Sequence, residues 1–389
     1  IDGYYDGKNT DIQIIKPFSL MNSQLYGGYR VSNGKFPTYD GKMETLSDGE
    51  FRLGLGVSLW KDLLIDDKRF ALWNNQINEE IKKLKKIAID QKIQKEATKA
   101  YFTWLAKANI MRKYQELLSN FEKRDEGIRK RIKNGDLAAI YGVENNQYVF
   151  KRKTDLIEAK QSFLEASQEL SLYLRDEQGK PRIPSLEEAP INFITEKKIT
   201  SLEAKQAEKT LLEKDLDLRT TSLILAQIEN ESKLAHNKLR PKLDVNFEVS
   251  KDQGQGAKNL QPMDQRLLLN IEVPIQRREA KGKIGKVEAE RRSMQEQVKL
   301  MTDQKFATLN KNINYINNII EIIQNSQEEI KLAETLVKAE AEKVKQGYSE
   351  FFLLNMREQN LIDAKVKNIK AHADYQKILA EYKESLLMY

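Results

Sequence analysis

The sequence predicts an α+β protein in which a β-hairpin followed by a long helical hairpin occurs twice. Strand-like alternation precedes each of two long segments with helical periodicity, and each of those segments ends at a glycine before a second helical segment begins. The two halves also share sequence: 132–135 resembles 344–347 at an offset of 212 residues (135 to 347), and 51–60 resembles 267–276 at an offset of 216 (60 to 276). Similar offsets at distant sites indicate an internal duplication.

Four segments alternate between apolar and polar residues, as strands do. The first hairpin lies within residues 1–62, with a polar, glycine-containing loop at 32–49, and the second lies within residues 241–276. One face of the predicted strands is aliphatic or aromatic, and the other is charged or polar. The polar face contains Arg52, Asp244, Asn246, Glu248, Asn270 and Glu272.

Two helical hairpins follow these strands, at residues 63–175 and 277–389. No proline interrupts residues 66–134, which predicts a helix about 100 Å long at 1.5 Å per residue. Such a helix needs neighbours in a bundle or coiled coil. The second hairpin carries a seam of apolar residues at steps of three, four or seven. The seam consists of Leu309, Ile313, Ile316, Ile320, Ile323, Ile330, Val337, Ala341 and Val344.

An irregular segment separates the two repeats. Residues 176–215 contain Gly179, Pro181, Pro184 and Pro190, although helical periodicity returns at about Ser201. A helix is predicted over residues 216–240, and it ends where a proline follows Arg240.

Composition argues against several classes of function. The chain of 389 residues has 65 Lys and Arg, 58 Asp and Glu, a net charge of +7 and no cysteine. Its charges are interleaved along helices, without the basic and aromatic clusters of nucleic-acid-binding proteins, so no nucleic-acid partner is expected. The two histidines, His236 and His372, lie far apart in helical segments. We expect no catalytic, metal or cofactor site, and therefore no enzyme activity.

The amphipathic strands raise a problem that oligomerisation would solve. Four strands are too few to close a membrane barrel, and an open sheet leaves two unpaired edges. A trimer would supply a twelve-stranded β-barrel, with its aliphatic face toward lipid and its polar face toward a watery lumen, continued by an α-helical tunnel. Predicted lumen residues are Arg52, Asp244, Glu248 and Glu272. The alternative is a sheet packed on its own helices in a water-soluble protein.

In the order of its elements, nearly the whole chain resembles the TolC family of outer-membrane efflux proteins. Three local signatures carry the resemblance. Residues 235–243 match the helix end, proline and first strand of the family's second repeat, and residues 269–288 match the strand, proline and turn that open its second long helix. Gly135 and Gly347 match the glycines at the tips of the family's helical hairpins.

The resemblance implies a homotrimer in the bacterial outer membrane, in contact with its lipid and extending into the periplasm. It implies an exit duct of a tripartite efflux or type I secretion system, with a periplasmic adaptor (membrane fusion) protein and an inner-membrane pump of the RND, ABC or MFS class as partners. Residues 176–215 would form the equatorial segment. Family members have a further helix before the first strand. Because the sequence begins at Ile1 rather than Met, we expect its natural start to lie upstream.

The resemblance also implies functions for the hairpin tips. Expected adaptor-docking residues are Gly135, Asp136, Gly347 and Tyr348. Family members narrow the tunnel with acidic residues on the return helices. The positions six and nine residues after each glycine hold Tyr141, Glu144, Leu353 and Met356, so a doubled acidic ring is not expected. Candidate gate residues are Glu144, Glu350, Leu353 and Met356. The apolar run at 351–354 is a hydrophobic gate, a docking patch or coiled-coil core.

A second function class is a soluble coiled-coil scaffold or a periplasmic adaptor. It would account for the helices but not for alternating strands with an aliphatic face. Adaptors also carry β-domains with many more than four strands. Solubility without detergent distinguishes this class from a membrane channel.

Overall fold

A computed structural model describes residues 6–36, 43–193 and 197–388. It is rich in helix and contains one sheet, which confirms the α+β prediction. In chain order the elements are β1 (Asp6–Pro17), β2 (Gln24–Lys35), β3 (Glu50–Ser58), α1 (Asp67–Lys133), α2 (Ala139–Ser171), α3 (Ser201–Lys214), α4 (Leu216–Asn237), β4 (Lys242–Asp252), β5 (Asp264–Glu272), α5 (Arg278–Gln346) and α6 (Phe351–Ser385). Two compact units result: Ile1–Lys83 with Thr220–Lys299, and Leu84–Arg219 with Leu300–Tyr389.

The first unit contains an antiparallel sheet of five strands in the order β1-β2-β3-β4-β5. Four strands were predicted and β1 was missed, so the described part of residues 1–62 holds three strands rather than one hairpin. The apolar alternation of β1 is short, because one face carries only two apolar residues, Ile12 and Ile14. The other residues of that face include Lys8, Thr10 and Lys16. The predicted total of twelve strands in a trimer assumed four strands per chain. The five-stranded sheet does not support that total.

Asp66 and Arg69 stabilise the start of α1, the helix that follows β3. The Asp66 carboxylate accepts hydrogen bonds from the backbone N–H groups of Lys68 (2.7 Å) and Arg69 (3.0 Å), as an N-capping side chain does. The Arg69 guanidinium donates to the carbonyl oxygens of Leu63 (2.9 Å) and Ser19 (3.1 Å). Burial raises the pKa of Asp66, but the hydrogen bonds from Arg69 and Lys68 outweigh burial, and the pKa lies below its usual value.

The core of the second unit is built from helix pairs. Trp104 on α1 packs with Phe163 on α2 and with Ala189 of the irregular segment, while Ile316 on α5 packs against Tyr375 on α6. Most of the predicted seam on α5 is buried, namely Leu309, Ile313, Ile316, Ile320, Ile323 and Val344. Toward the tip, Ile330 and Val337 are half-buried and Ala341 is exposed. Among the described residues, no helix combines the length and the hydrophobicity needed to cross a membrane.

Candidate functional site

The apolar face of the sheet is exposed and the polar face is largely buried, which is the reverse of the arrangement in a water-soluble protein. The strand pairing places Leu53 opposite Val249, and Phe247 opposite Leu267, on a single apolar face. That face is exposed: Leu53 is 58% and Leu269 is 62% accessible. Other exposed members are Ile12, Ile14, Leu25, Phe51, Leu55, Phe247, Leu267 and Ile271. The sheet therefore does not cover its aliphatic face with its own helices, as the water-soluble alternative required.

The opposite face is polar, and its centre is buried. Arg30 and Glu50 form an ion pair of 2.5 Å between β2 and β3, with side chains only 9% and 2% exposed. Arg266 on β5 approaches Glu50 at 3.8 Å and Glu248 at 3.7 Å. The Tyr26 hydroxyl donates to Glu248 at 2.8 Å. These contacts connect side chains from four strands into a charged network.

A second ion pair on the same face reaches β1 across a glycine. Arg52 on β3 lies opposite Gly28 on β2, which has no side chain to block the space above it. The Arg52 guanidinium crosses that position and donates to both carboxylate oxygens of Asp11 at 2.5 Å. Charge-assisted hydrogen bonds of this kind are stronger than those between neutral groups. The missed strand β1 is thus attached to the sheet by side chains as well as by its backbone ladder.

The predicted lumen residues share this polar face. Arg52, Asp244 and Glu248 have side chains that are 13%, 17% and 13% exposed. Glu272 lies opposite Lys242 in the strand register at the end of the sheet, and it is exposed. Arg30, Glu50, Tyr26 and Asp11 were not predicted. The alternation that places Tyr26 and Arg30 on one face of β2 was visible in the sequence, but Asp11 lies on the missed strand β1, and the cross-strand partners of all four residues were not visible.

Both helical-hairpin tips end in the same hydrogen-bonded cap. The N–H of Gly135 donates to Ile132 (3.1 Å) and that of Asp136 to Arg131 (2.8 Å); Gly347 donates to Val344 (3.2 Å) and Tyr348 to Lys343 (2.9 Å). This is the Schellman arrangement, which needs a left-handed residue after the helix. Gly135 and Gly347 supply it, with φ of +84° and +81°. Both halves of the duplication therefore close their long helix with identical backbone geometry.

The two tips line one cleft of about 490 Å³. Asp136 and Tyr141 from the first tip lie there with Tyr348 and Glu350 from the second. Tyr348 is 82% exposed, and its ring has no counterpart to cover it among the described residues. The structure thus brings together three of the predicted tip residues, Asp136, Gly347 and Tyr348, and one predicted gate residue, Glu350.

No protein-family profile matches the sequence, and no curated protein is similar to it. Solved structures do match. The outer membrane protein VceC from Vibrio cholerae superposes with a TM-score of 0.69 at 12% identity, over 98% of this chain and 86% of that one. The Campylobacter jejuni CmeC outer membrane channel has a TM-score of 0.67 at 11% identity, over 98% of this chain and 77% of that one. The Neisseria gonorrhoeae MtrE outer membrane channel has a TM-score of 0.66 at 14% identity, over 98% of this chain and 80% of that one. The fold is that of the TolC-family outer-membrane channels. The resemblance inferred from the sequence is confirmed at the level of fold.

Within this TolC fold, the other predicted gate residues lie outside the tip cleft. Glu144 is half-buried on α2, and on α6 Leu353 is half-buried while Met356 is 41% exposed. Leu354 is buried, as a core residue would be, whereas Phe352 is 50% exposed. The apolar run at the second tip therefore serves both as core and as exposed surface.

A buried ionic cluster joins the two hairpins of the TolC fold a few turns from the tips. Phe121 on α1 is fully buried between two guanidinium groups, Arg124 at 4.9 Å and Arg152 at 5.3 Å from the ring centre. Arg124 also donates to Asn355 on α6 at 2.5 Å and pairs with Glu358. This cluster was not predicted from the sequence. Its signal was a polar residue at a seam position, such as Arg152 three residues after the buried Val149.

Proposed function

We propose that this chain forms the exit duct of a tripartite efflux or type I secretion system in the bacterial outer membrane. Three copies join their sheets into a closed barrel that contacts lipid with its apolar face. The helical hairpins form a tunnel across the periplasm, and their tips meet a periplasmic adaptor bound to an inner-membrane pump of the RND, ABC or MFS class. Substrates leave through the polar interior.

The inverted sheet is the observation that supports this proposal most strongly. In water, an apolar surface of this extent would favour aggregation, since soluble monomers rarely expose large contiguous apolar patches. In a bilayer the same surface is favourable, because its apolar side chains contact the hydrocarbon chains of the lipid. The ionised groups of the opposite face then lie on the side that faces water. Exposed Leu53 and Leu269, with buried Glu50 on the reverse face, match the second environment.

Closure by further copies follows from the two sheet edges. β1 and β5 are the outer strands of the sheet and have no second neighbour among the described residues. Unpaired backbone groups cost several kcal/mol each in hydrocarbon, so an open sheet is unstable in a membrane. We therefore assign residues 1–62 and 241–276 to the barrel. We assign residues 63–175, 216–240 and 277–389 to the tunnel, and residues 176–215 to an equatorial segment.

The test begins with membranes from cells that express the full chain. We expect extraction only with detergent, a protein mass of three times 45.1 kDa in the purified complex, and stepwise conductance in planar lipid bilayers. A monomer that is soluble without detergent, and that adds no conductance to bilayers, would contradict the proposal and favour the coiled-coil scaffold or adaptor.

A further inference from the structure

A basic cavity of about 620 Å³ lies in the first unit, at the end of the sheet where β3 and β5 stop and α5 begins. Five basic side chains line it, together with one acid. They are Lys61, Lys238, Arg277, Lys283, Lys286 and Glu279. The volume suits a phosphate group with part of its organic substituent. Lys238 and Lys283 also make ion pairs to other helices, but among the described residues Lys61 and Arg277 do not.

Two of these cations have no carboxylate partner within 4.0 Å among the described residues. Lys238 reaches Asp67 at 3.4 Å, Lys286 reaches Glu290 at 3.5 Å, and Lys283 pairs with Glu231. Lys61 and Arg277 form no ion pair with a described carboxylate, and the Arg277 Nε donates only to the Pro274 carbonyl at 3.2 Å. These two side chains are therefore available to an external anion.

The dipole of α5 does not explain the basic residues at its start. Arg277, Arg278 and Lys281 stand at the start of α5, where the helix dipole is positive and favours acidic side chains. Over residues 274–286 the sequence has five basic residues and one acidic residue. Of these residues, Arg277, Lys283 and Lys286 line the cavity, and the helix dipole does not account for the cation at Arg277.

Exposed apolar and aromatic side chains lie at the same end of the sheet as the cavity. Ile275 is 94% exposed, Leu20 is 74%, Leu64 is 67% and Trp60 is 52%. Tryptophan with aliphatic neighbours is typical of the level at which a membrane meets water. The cations therefore lie at the height of lipid headgroups if the apolar face of the sheet contacts acyl chains.

We propose that this cavity binds the phosphate of an anionic phospholipid headgroup in the leaflet that meets this end of the sheet, with Lys61 and Arg277 as its principal contacts. The proposal rests on the membrane-embedded sheet described under the proposed function. Basic residues close to an anionic membrane surface attract such lipids individually, and a cavity between them adds selectivity for one bound molecule.

The experiment uses the full chain purified in detergent, with lipid retention measured by native mass spectrometry. Phosphatidylglycerol is the probe, phosphatidylcholine is the zwitterionic comparison, and inorganic phosphate is the soluble competitor. The test variant is Lys61→Gln with Arg277→Gln. The control variant is Arg278→Gln with Lys281→Gln, which removes the same charge from the same region outside the cavity lining.

We expect the parent and the control to retain phosphatidylglycerol in preference to phosphatidylcholine, and the test variant to bind it roughly thirtyfold more weakly. Equal loss in both variants, or equal retention of the two lipids, would overturn the site. Displacement by inorganic phosphate at concentrations comparable to the lipid would reassign the cavity to free phosphate. Bilayer conductance of the same samples separates the two proposals. Normal channels without lipid preference refute only the site, whereas absent channels refute the function.

Discussion

Arg30 and Glu50 form a buried ion pair of 2.5 Å between neighbouring strands, on the face of the sheet that a soluble protein would expose to solvent. Removing one member of a buried pair leaves the other charge without compensation. We therefore expect Glu50→Ala to lower the free energy of unfolding by about 3 kcal/mol, measured by denaturant titration of the detergent-solubilised protein.

An exposed ion pair provides the control for that measurement. Glu79 and Lys83 lie 2.6 Å apart on α1, with side chains 68% and 71% exposed. Glu79→Ala removes a carboxylate from a pair of similar geometry that water already screens, so we expect little change in stability. If both substitutions have the same effect, the Arg30–Glu50 pair is solvated in the assembled protein and the first prediction is wrong.

Two adjacent leucines on β5 test which face of the sheet meets lipid. Leu269 belongs to the apolar face and Leu268 to the polar face, with 62% and 59% exposure. An arginine facing lipid at the centre of a membrane costs about 2–4 kcal/mol. We expect Leu269→Arg to reduce the amount of assembled protein in the outer membrane severalfold, and Leu268→Arg to leave most of it in place. A soluble protein would tolerate both changes, because both side chains are already exposed.

The tip glycines allow a matched test of backbone strain. Gly347 has a φ of +81° and no atom near the position of a Cβ, so alanine there is unfavourable through conformation alone. We expect Gly347→Ala to cost about 1 kcal/mol of stability, measured by chemical unfolding. Gly127, inside α1, has equal space and helical geometry. There alanine should add about 0.5–1 kcal/mol. Destabilisation of equal size at both positions would show that the left-handed φ of Gly347 is not the cause.

The features most readily predicted from the sequence are those that repeat locally. The α5 seam could be identified because Ile313, Ile316, Ile320 and Ile323 recur with the period of a helix. The glycine caps could be identified because Gly135 and Gly347 each end such a period. The internal duplication strengthened both predictions, since each half of the chain served as a check on the other.

Features that depend on contacts between distant segments could not be predicted. β1 was missed because Ile12 and Ile14 are too few to establish alternation. Its backbone ladder with β2 is supplemented by Arg52, which reaches Asp11 across Gly28 in a contact between three strands. Arg124 and Glu358 are 234 residues apart, and neither stands out within its own helix. Single-sequence periodicity reports which face of an element is buried, but not which charges meet there.

The tip cleft leads to a prediction about ion selectivity. Glu350 and Asp136 line the cleft, whereas Glu144 does not. If the cleft borders the tunnel entrance, three copies form a ring of acidic groups, and such rings favour cations. We expect Glu350→Gln to lower the cation-to-anion permeability ratio about twofold in planar bilayers, with a smaller change for Glu144→Gln.

Each change replaces a carboxylate with an amide of the same size, so charge alone is altered. Reversal potentials in a salt gradient give the ratio, and single-channel conductance checks that the pore has kept its width. An unchanged ratio in both variants would exclude an acidic ring at these positions and leave the exposed Tyr348 and Phe352 as a hydrophobic constriction or a docking surface.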